Sequence, residues 1–274
     1  MLVRTLIVLG LLAAPAYAQH AAVTTVVRDP SSGSVSCGSA NRGALASPAR
    51  LEPAGDTWIK PDAWRRRGLD FGTDELIGVV ERASRQVAEQ FKGSVLGVAD
   101  LSRRAGGAVG GHASHQSGRD ADLIFYAVDK AGGYVDPDNT MPVYTITGRA
   151  YYSEAPTWQP RIRERWFDLA RNWALVKALI EDRDARVVAI FVSGAIEHWL
   201  LDYARATGEP RELIQRAQFI MTSPRNTRAH RDHMHIRVGC SAADAATGRC
   251  SDDNAPRLGR GRRWNSTIAC PEAS

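Results

Sequence analysis

The sequence predicts an α+β fold, a central antiparallel sheet with flanking helices. Two observations point there. Helical and strand patterns interleave without a linker to split the chain, and the returns near the histidine-rich stretch 230–235 are short and hairpin-like rather than helical crossovers. With 274 residues and no internal repeat or low-complexity segment, the chain is long enough to bury an ordinary core.

The first eighteen residues read as a signal peptide. Arg4 precedes an apolar run from Leu6 to Ala14, and Ala16-Tyr17-Ala18 places small residues where a signal peptidase cuts, so cleavage is expected before Gln19. The run is well short of the ~20 residues a bilayer demands, so no stable membrane anchor is expected. The remainder, 19–274, reads as a single domain. Residues 19–56, rich in Ser, Gly, Ala and Pro, read as an irregular arm pinned by Cys37.

Gly72-Thr73-Asp74 then offers a helix cap, and Leu76, Val80, Ala83, Val87 and Phe91 recur at spacings of three and four, predicting an amphipathic helix that ends near Gly93. Ser94–Ala99 reads as a strand and Arg103–Gly111 as a glycine-rich loop. Asp120–Val128 is apolar, β-branched and aromatic after its first residues, a core strand beginning at two aspartates. Residues 130–159 carry Asp, Pro, Gly and five tyrosine or tryptophan residues and read as a long irregular insertion. Pro160 is expected to open a helix with Ile162, Trp166, Leu169, Trp173, Val176 and Ile180 on its apolar face. A strand at Val187–Val192, helices at Ala195–Ala206 and Pro210–Met221, and a strand at Met234–Val238 complete the pattern.

An exported chain meets an oxidising compartment, so Cys37, Cys240, Cys250 and Cys270 read as two disulfides. Of three pairings, Cys240 with Cys250 closes the polar loop after the last strand, and Cys37 with Cys270 ties the ends of the mature chain together. A cysteine zinc site would want a CxxC pair, and none exists. The net charge of +5 is modest and suits an anionic polymer such as a cell wall or a membrane surface, although arginine clusters at 65–67 and 257–263 can equally be solvated. No helix-turn-helix, RNP or zinc-finger pattern argues for nucleic acid.

Three of the seven histidines fall in His230-Arg231-Asp232-His233-Met234-His235. In an extended strand His233 and His235 share one face while Met234 and Ile236 take the other. An isolated HxH is more often a polar strand end. A second cluster changes that reading: His115 on a loop and Asp122 at a strand start. Zinc takes imidazole nitrogen and carboxylate oxygen, with three protein ligands in a catalytic site and a fourth position open. A loop histidine, a strand-start aspartate and one HxH histidine supply that set. Asp120, two residues before Asp122 and on its face, reads either as a hydrogen-bond partner of a ligand imidazole or as a structural partner of Arg119 or a loop amide. His112 reads either as a residue behind the ligands or as a surface loop histidine, Ser114 as a turn or cap residue, and His198 as packed or exposed on a helix.

The run SHQSGRDAD together with HRDHMHIRV resembles the penicillin-insensitive murein endopeptidases, within the wider LAS metallopeptidase group of zinc D-alanyl-D-alanine carboxypeptidases and lysostaphin-type enzymes. The group pattern, His-x-x-Gly-x-Ala-x-Asp and later His-x-His, fits His115, Gly118, Asp122, His233 and His235; it departs at Asp120, where the endopeptidase branch is similar to this chain. The resemblance implies one Zn2+ held by His115, Asp122 and His235, with His233 as catalytic histidine and His230 as a second site histidine. It implies a periplasmic zinc peptidase that hydrolyses the D-alanyl-meso-diaminopimelate cross-link of peptidoglycan without an acyl-serine, and so without inhibition by β-lactams. The alternatives are a zinc D,D-carboxypeptidase or L,D-endopeptidase acting on stem peptides, or a non-catalytic wall-binding protein.

Overall fold

The structure is a computed structural model and describes residues 33–152, 162–223, 230–252 and Cys270. The leader expected at 1–18 lies outside these residues.

Within the stretch expected as an irregular arm, β1 (Val35–Ser39) and β2 (Arg42–Ala46) form an antiparallel hairpin, followed by β3 (Ala49–Arg50). The small residues that looked like loop composition serve close packing. A Cβ added at Gly43 would stand 2.7 Å from Ser117 Cβ and 2.4 Å from Cys37 O, so the hairpin lies directly against the loop that carries His115. Next come β4 (Trp58–Ile59), α1 (Asp62–Arg65) and β5 (Phe71–Gly72).

The first long helix, α2 (Asp74–Gln90), starts where expected. Thr73 caps it, its hydroxyl accepting from Leu76 N at 3.3 Å, and Leu76, Val80, Ala83 and Val87 are buried. After β6 (Leu96–Val98), the expected strand 120–128 divides into β7 (Asp120–Ile124) and β8 (Ala127–Val128), which belong to different sheets. The break falls at Tyr126. Asn172 Oδ1 accepts from Tyr126 N at 3.0 Å and Asn172 Nδ2 donates to Tyr126 O at 2.9 Å, so a side-chain amide replaces the neighbouring strand there.

The described part of the insertion, up to residue 152, contributes β9 (Tyr134–Val135) and β10 (Arg149–Ala150). Its Tyr144 is buried edge-on against Phe125 and Phe167, so this part is more ordered and more core-like than expected. The helix expected from Pro160 begins later. Arg165–Phe167 forms β11, paired with β8 and β10, and α3 (Leu169–Glu181) starts after Asp168, whose carboxylate accepts from Arg171 N at 3.0 Å. Strand pairing claims Trp166 before the helix can, which apolar spacing alone does not reveal.

β12 (Val187–Phe191), α4 (Gly194–Ala206), α5 (Arg211–Ile220), β13 (Met221–Thr222), β14 (His233–Val238) and α6 (Ala242–Ala246) follow. The main sheet runs β13-β12-β14-β7-β6-β4. Its four central strands pair antiparallel, and only the edge strands β13 and β4 are parallel to their neighbours, so the fold is α+β as the pattern predicted. Met234, Ile236 and Val238 of β14 are fully buried in the core with Leu76 and Val80 of α2 and Leu175 and Leu179 of α3. Helices thus cover one face of the sheet, and the alternation of β14 turns His233 and His235 to the other.

Cys37–Cys270 and Cys240–Cys250 are both disulfide-bonded, the pairing favoured above. Among the described residues no helix is long and apolar enough to cross a membrane.

Candidate metal centre

Strand pairing brings the two motifs together. In the β14–β7 ladder His235 stands opposite Asp122, and Arg237 opposite Asp120. Directly opposed residues in an antiparallel pair have their Cβ atoms about 5 Å apart, so a carboxylate and an imidazole that lie 113 positions apart in sequence become neighbours. The third member arrives on a loop. His115 has φ +65, a left-handed conformation costly for a non-glycine residue, and the loop is held by Asp120 Oδ2, which accepts from His115 N at 3.0 Å. His230 also has positive φ, +58, and the turn it makes folds its ring back over β14, 4.9 Å from the His233 ring and 5.5 Å from that of His235.

Asp122 Oδ1 is the focus of the cluster. His115 Nε2 and His235 Nδ1 each lie 3.3 Å from it and His233 Nε2 lies 3.4 Å away. The other nitrogen of each ring is already engaged: His115 Nδ1 with Leu101 O at 3.0 Å, His235 Nε2 with Asp120 Oδ1 at 2.9 Å, and His233 Nδ1 with Asp232 Oδ1 at 2.9 Å. Three rings are therefore oriented from behind and point their remaining nitrogens at one oxygen. Asp122 Oδ1 and His115 Nε2 are buried and have no hydrogen-bond partner, as is His230 Nδ1. A buried polar atom left unpaired costs about 1–3 kcal/mol, so such atoms gathered in one place call for a ligand. By donor type, two imidazole nitrogens and a carboxylate oxygen fit a divalent ion such as zinc. Among the described residues, two groups offer ligand atoms within 4.8 Å of one another, His230-His233-His235 and His112-His115-Asp122.

Comparison with known proteins adds the family. A sequence profile of the family described as penicillin-insensitive murein endopeptidase matches residues 36–268. The chain belongs to that family. It is 30% identical over 218 residues to a penicillin-insensitive murein endopeptidase of Yersinia pestis bv. Antiqua (strain Antiqua), covering 79% of this chain and 68% of the relative. It is 32% identical over 194 residues to one of Escherichia coli O6:K15:H31 (strain 536 / UPEC), covering 70% of this chain and 61% of the relative.

In this murein endopeptidase family member the charges around the centre are strongly coupled. Burial would raise both aspartates, yet Arg237 and His235 hold Asp120, and His115 and His233 hold Asp122, well below the usual carboxylate range. Burial would push His233 down, but Asp122 and Asp232 outweigh it and raise the ring to about 9. For His115, burial is likewise outweighed, chiefly by Asp122, and the ring is raised. His230 moves the other way: burial, with His233 and His235 beside it, lowers it to about 3, so this ring stays neutral. Burial lowers His235 despite its bond to Asp120. Two ionised carboxylates inside the protein make the centre attractive to positive charge, whether proton or metal.

Each of the five expected site residues, His115, Asp122, His230, His233 and His235, lies in this one cluster. Asp120 combines its two readings, Oδ1 bonded to the His235 ring and Oδ2 to a loop amide, His115 N. His112 is no free surface histidine: its Nε2 bonds Asp100 Oδ2 at 2.9 Å and its Nδ1 lies 3.7 Å from Asp122 Oδ2. His198 is exposed on α4 and pairs with Asp202 at 2.9 Å. Sequence reasoning missed Asp100, Leu101 and Arg237. Arg237 was within reach, since period two puts it on the face of His235; no motif signals the other two.

Proposed function

We propose that the protein is a zinc-dependent murein endopeptidase of the periplasm, delivered there by its signal peptide, that hydrolyses the D-alanyl-meso-diaminopimelate cross-link of peptidoglycan. The observation that carries this reading is the unpaired, buried Asp122 Oδ1 with three imidazole nitrogens aimed at it, in a member of this family. Family membership supports the substrate, and two disulfides fit an oxidising compartment outside the cytoplasm.

In this reading His115 Nε2, Asp122 and His235 Nδ1 hold one zinc ion. When bound, zinc acts as a Lewis acid that acidifies water and polarises the scissile carbonyl. The protein's own groups do the rest. His233, held at Nδ1 by Asp232, presents Nε2 to the centre; a cation held there would offset the pull of Asp122 that raises this ring, leaving Nε2 free to take a proton from the attacking water and give it to the leaving amine. His230, neutral and with Nδ1 unpaired, hydrogen-bonds the substrate. Asp120 keeps the His235 ring turned so that Nδ1 faces inward. No side chain forms a covalent acyl intermediate, so β-lactams have no serine to trap.

Digestion of purified cross-linked muropeptides, with fragments identified by mass, tests the reading. Conversion of dimers to monomers is the expected result. Loss of terminal D-alanine alone points to a carboxypeptidase, cleavage at an L,D bond to an L,D-endopeptidase, and binding without cleavage to a wall-binding protein.

A further inference from the structure

The roles assigned so far leave Lys60 unexplained. Among the described residues it is the one fully buried lysine, 1% exposed. Its Nζ donates to Leu69 O at 2.9 Å and to Ala99 O, and lies 3.2 Å from Asp70 Oδ1. An ammonium taken from water is costly unless well paired, and a leucine or methionine fills a core at lower cost, so a purpose beyond filling is indicated.

The location supplies that purpose. Ala99 opens the run Ala99-Asp100-Leu101, and each of the three residues touches the metal centre. Ala99 N donates to Asp122 O at 2.8 Å and Asp122 N donates to Asp100 O at 2.9 Å, which fixes the backbone of Asp122 from both sides. The Asp100 carboxylate holds His112 Nε2 at 2.9 Å and Arg67 Nη1 at 2.6 Å. Leu101 O takes His115 Nδ1 at 3.0 Å and so decides which nitrogen of that ring faces Asp122. Leu101 N is in turn bound to Leu69 O at 2.9 Å, a carbonyl that Lys60 also grips. One ammonium thus fixes both ends of the run, Ala99 directly and Leu101 through Leu69.

We propose that Lys60 is a positioning residue for the metal centre: by holding the Ala99 and Leu69 carbonyls it sets the run that orients the His115 ring and the Asp122 backbone. This rests on the zinc reading above. Residues behind a metal's ligands typically cost 10–100-fold in affinity when removed, so Lys60→Met is expected to weaken zinc binding by about 10–100-fold.

The test uses the full chain, stripped of metal and titrated with zinc against a chromophoric chelator. A parallel cobalt(II) titration reads coordination geometry from the visible absorption spectrum. Lys60→Met should show weaker zinc binding and an altered cobalt spectrum at a temperature where it remains folded. Asp182→Ala, which breaks the Arg82–Asp182 ion pair between α2 and the end of α3, serves as a destabilised control and should keep both affinity and spectrum. If Lys60→Met does not fold, Asp70→Asn, which keeps the lysine but removes its ion partner, should weaken zinc binding in the same direction. Wild-type affinity and spectrum in the folded Lys60 or Asp70 variant overturn the proposal, as does an equal loss in the Asp182 control. A wild-type chain that binds neither metal overturns the zinc reading, and this inference with it.

Discussion

Asp120 Oδ1 accepts two hydrogen bonds at once, from His235 Nε2 at 2.9 Å and from Arg237 Nε at 2.6 Å, while Oδ2 of the same buried carboxylate accepts from His115 N. One side chain therefore aligns the strand histidine and the loop histidine, and Arg237 keeps it ionised. Asp120→Ala removes all three bonds and takes the carboxylate from beside the buried Arg237 guanidinium. Expected are a loss of zinc affinity of about 10–100-fold and a stability loss of about 3 kcal/mol. Chelator competition and denaturant unfolding measure the two. Unchanged zinc affinity would show that Asp120 serves the strand pairing alone.

Replacing His115 and replacing His233 should separate binding from chemistry. His115→Ala is expected to contain no stoichiometric zinc by elemental analysis. His233→Ala is expected to keep its zinc and lose turnover of cross-linked dimers by about 10²–10⁴-fold, the usual worth of a positioned acid–base group. Persistent sacculus hydrolysis by His233→Ala would remove that histidine from the proton path.

Metal removal should be visible as stability. A ligand that binds only the folded state adds about 2.7 kcal/mol at a hundred times its Kd. Adding zinc to the stripped wild type should therefore raise Tm progressively, and chelation should reverse it. The same zinc series on His115→Ala should leave Tm flat; a parallel rise there would place the stabilising ion elsewhere.

Asp182 gives a pH dependence away from the metal centre. Burial alone would raise its carboxyl, but the paired bonds from Arg82 at 2.6 and 2.9 Å and the backbone N–H groups of Ala185 and Asp184 hold it below its ordinary value. A carboxyl depressed by folding stabilises above its unfolded pKa, about 3.9, and this stabilisation is lost as pH falls through the lower folded value. The Tm gap between wild type and Asp182→Asn should be widest near neutrality and narrow below about pH 4. A gap that stays constant to low pH would assign the effect to packing instead.

Asn172 is expected to matter for the branch between the two sheets. Asn172→Ala leaves Tyr126 N without a partner in the core, while Tyr126 O keeps its bond from Asp168 N, at a cost of about 1–3 kcal/mol in urea unfolding. A loss within about 0.5 kcal/mol of zero, as at an ordinary surface position, would mean that the strand end re-pairs by itself.

By itself the sequence determined what is written in short-range order. The Thr73 cap and the three-four spacing of Leu76, Val80, Ala83 and Val87 make α2, because capping and amphipathicity act within a few residues. Period two in β14 puts His233 and His235 on one face, and the spacing of His115, Gly118 and Asp122 belongs to a single loop and strand start. Tertiary structure decided the rest, because those choices are made by partners distant in the chain. The bond of His235 to Asp120 spans 115 positions and that of His115 to Leu101 spans 14, and these bonds select which ring nitrogens face Asp122. The helix expected from Pro160 gives way to β11 only because β8 and β10 offer backbone partners to Arg165–Phe167, a competition no local pattern records. Lys60 likewise belongs to no motif in the sequence; folding encloses it behind the Asp122 backbone, where its bonds to Ala99 and Leu69 are what make the position legible.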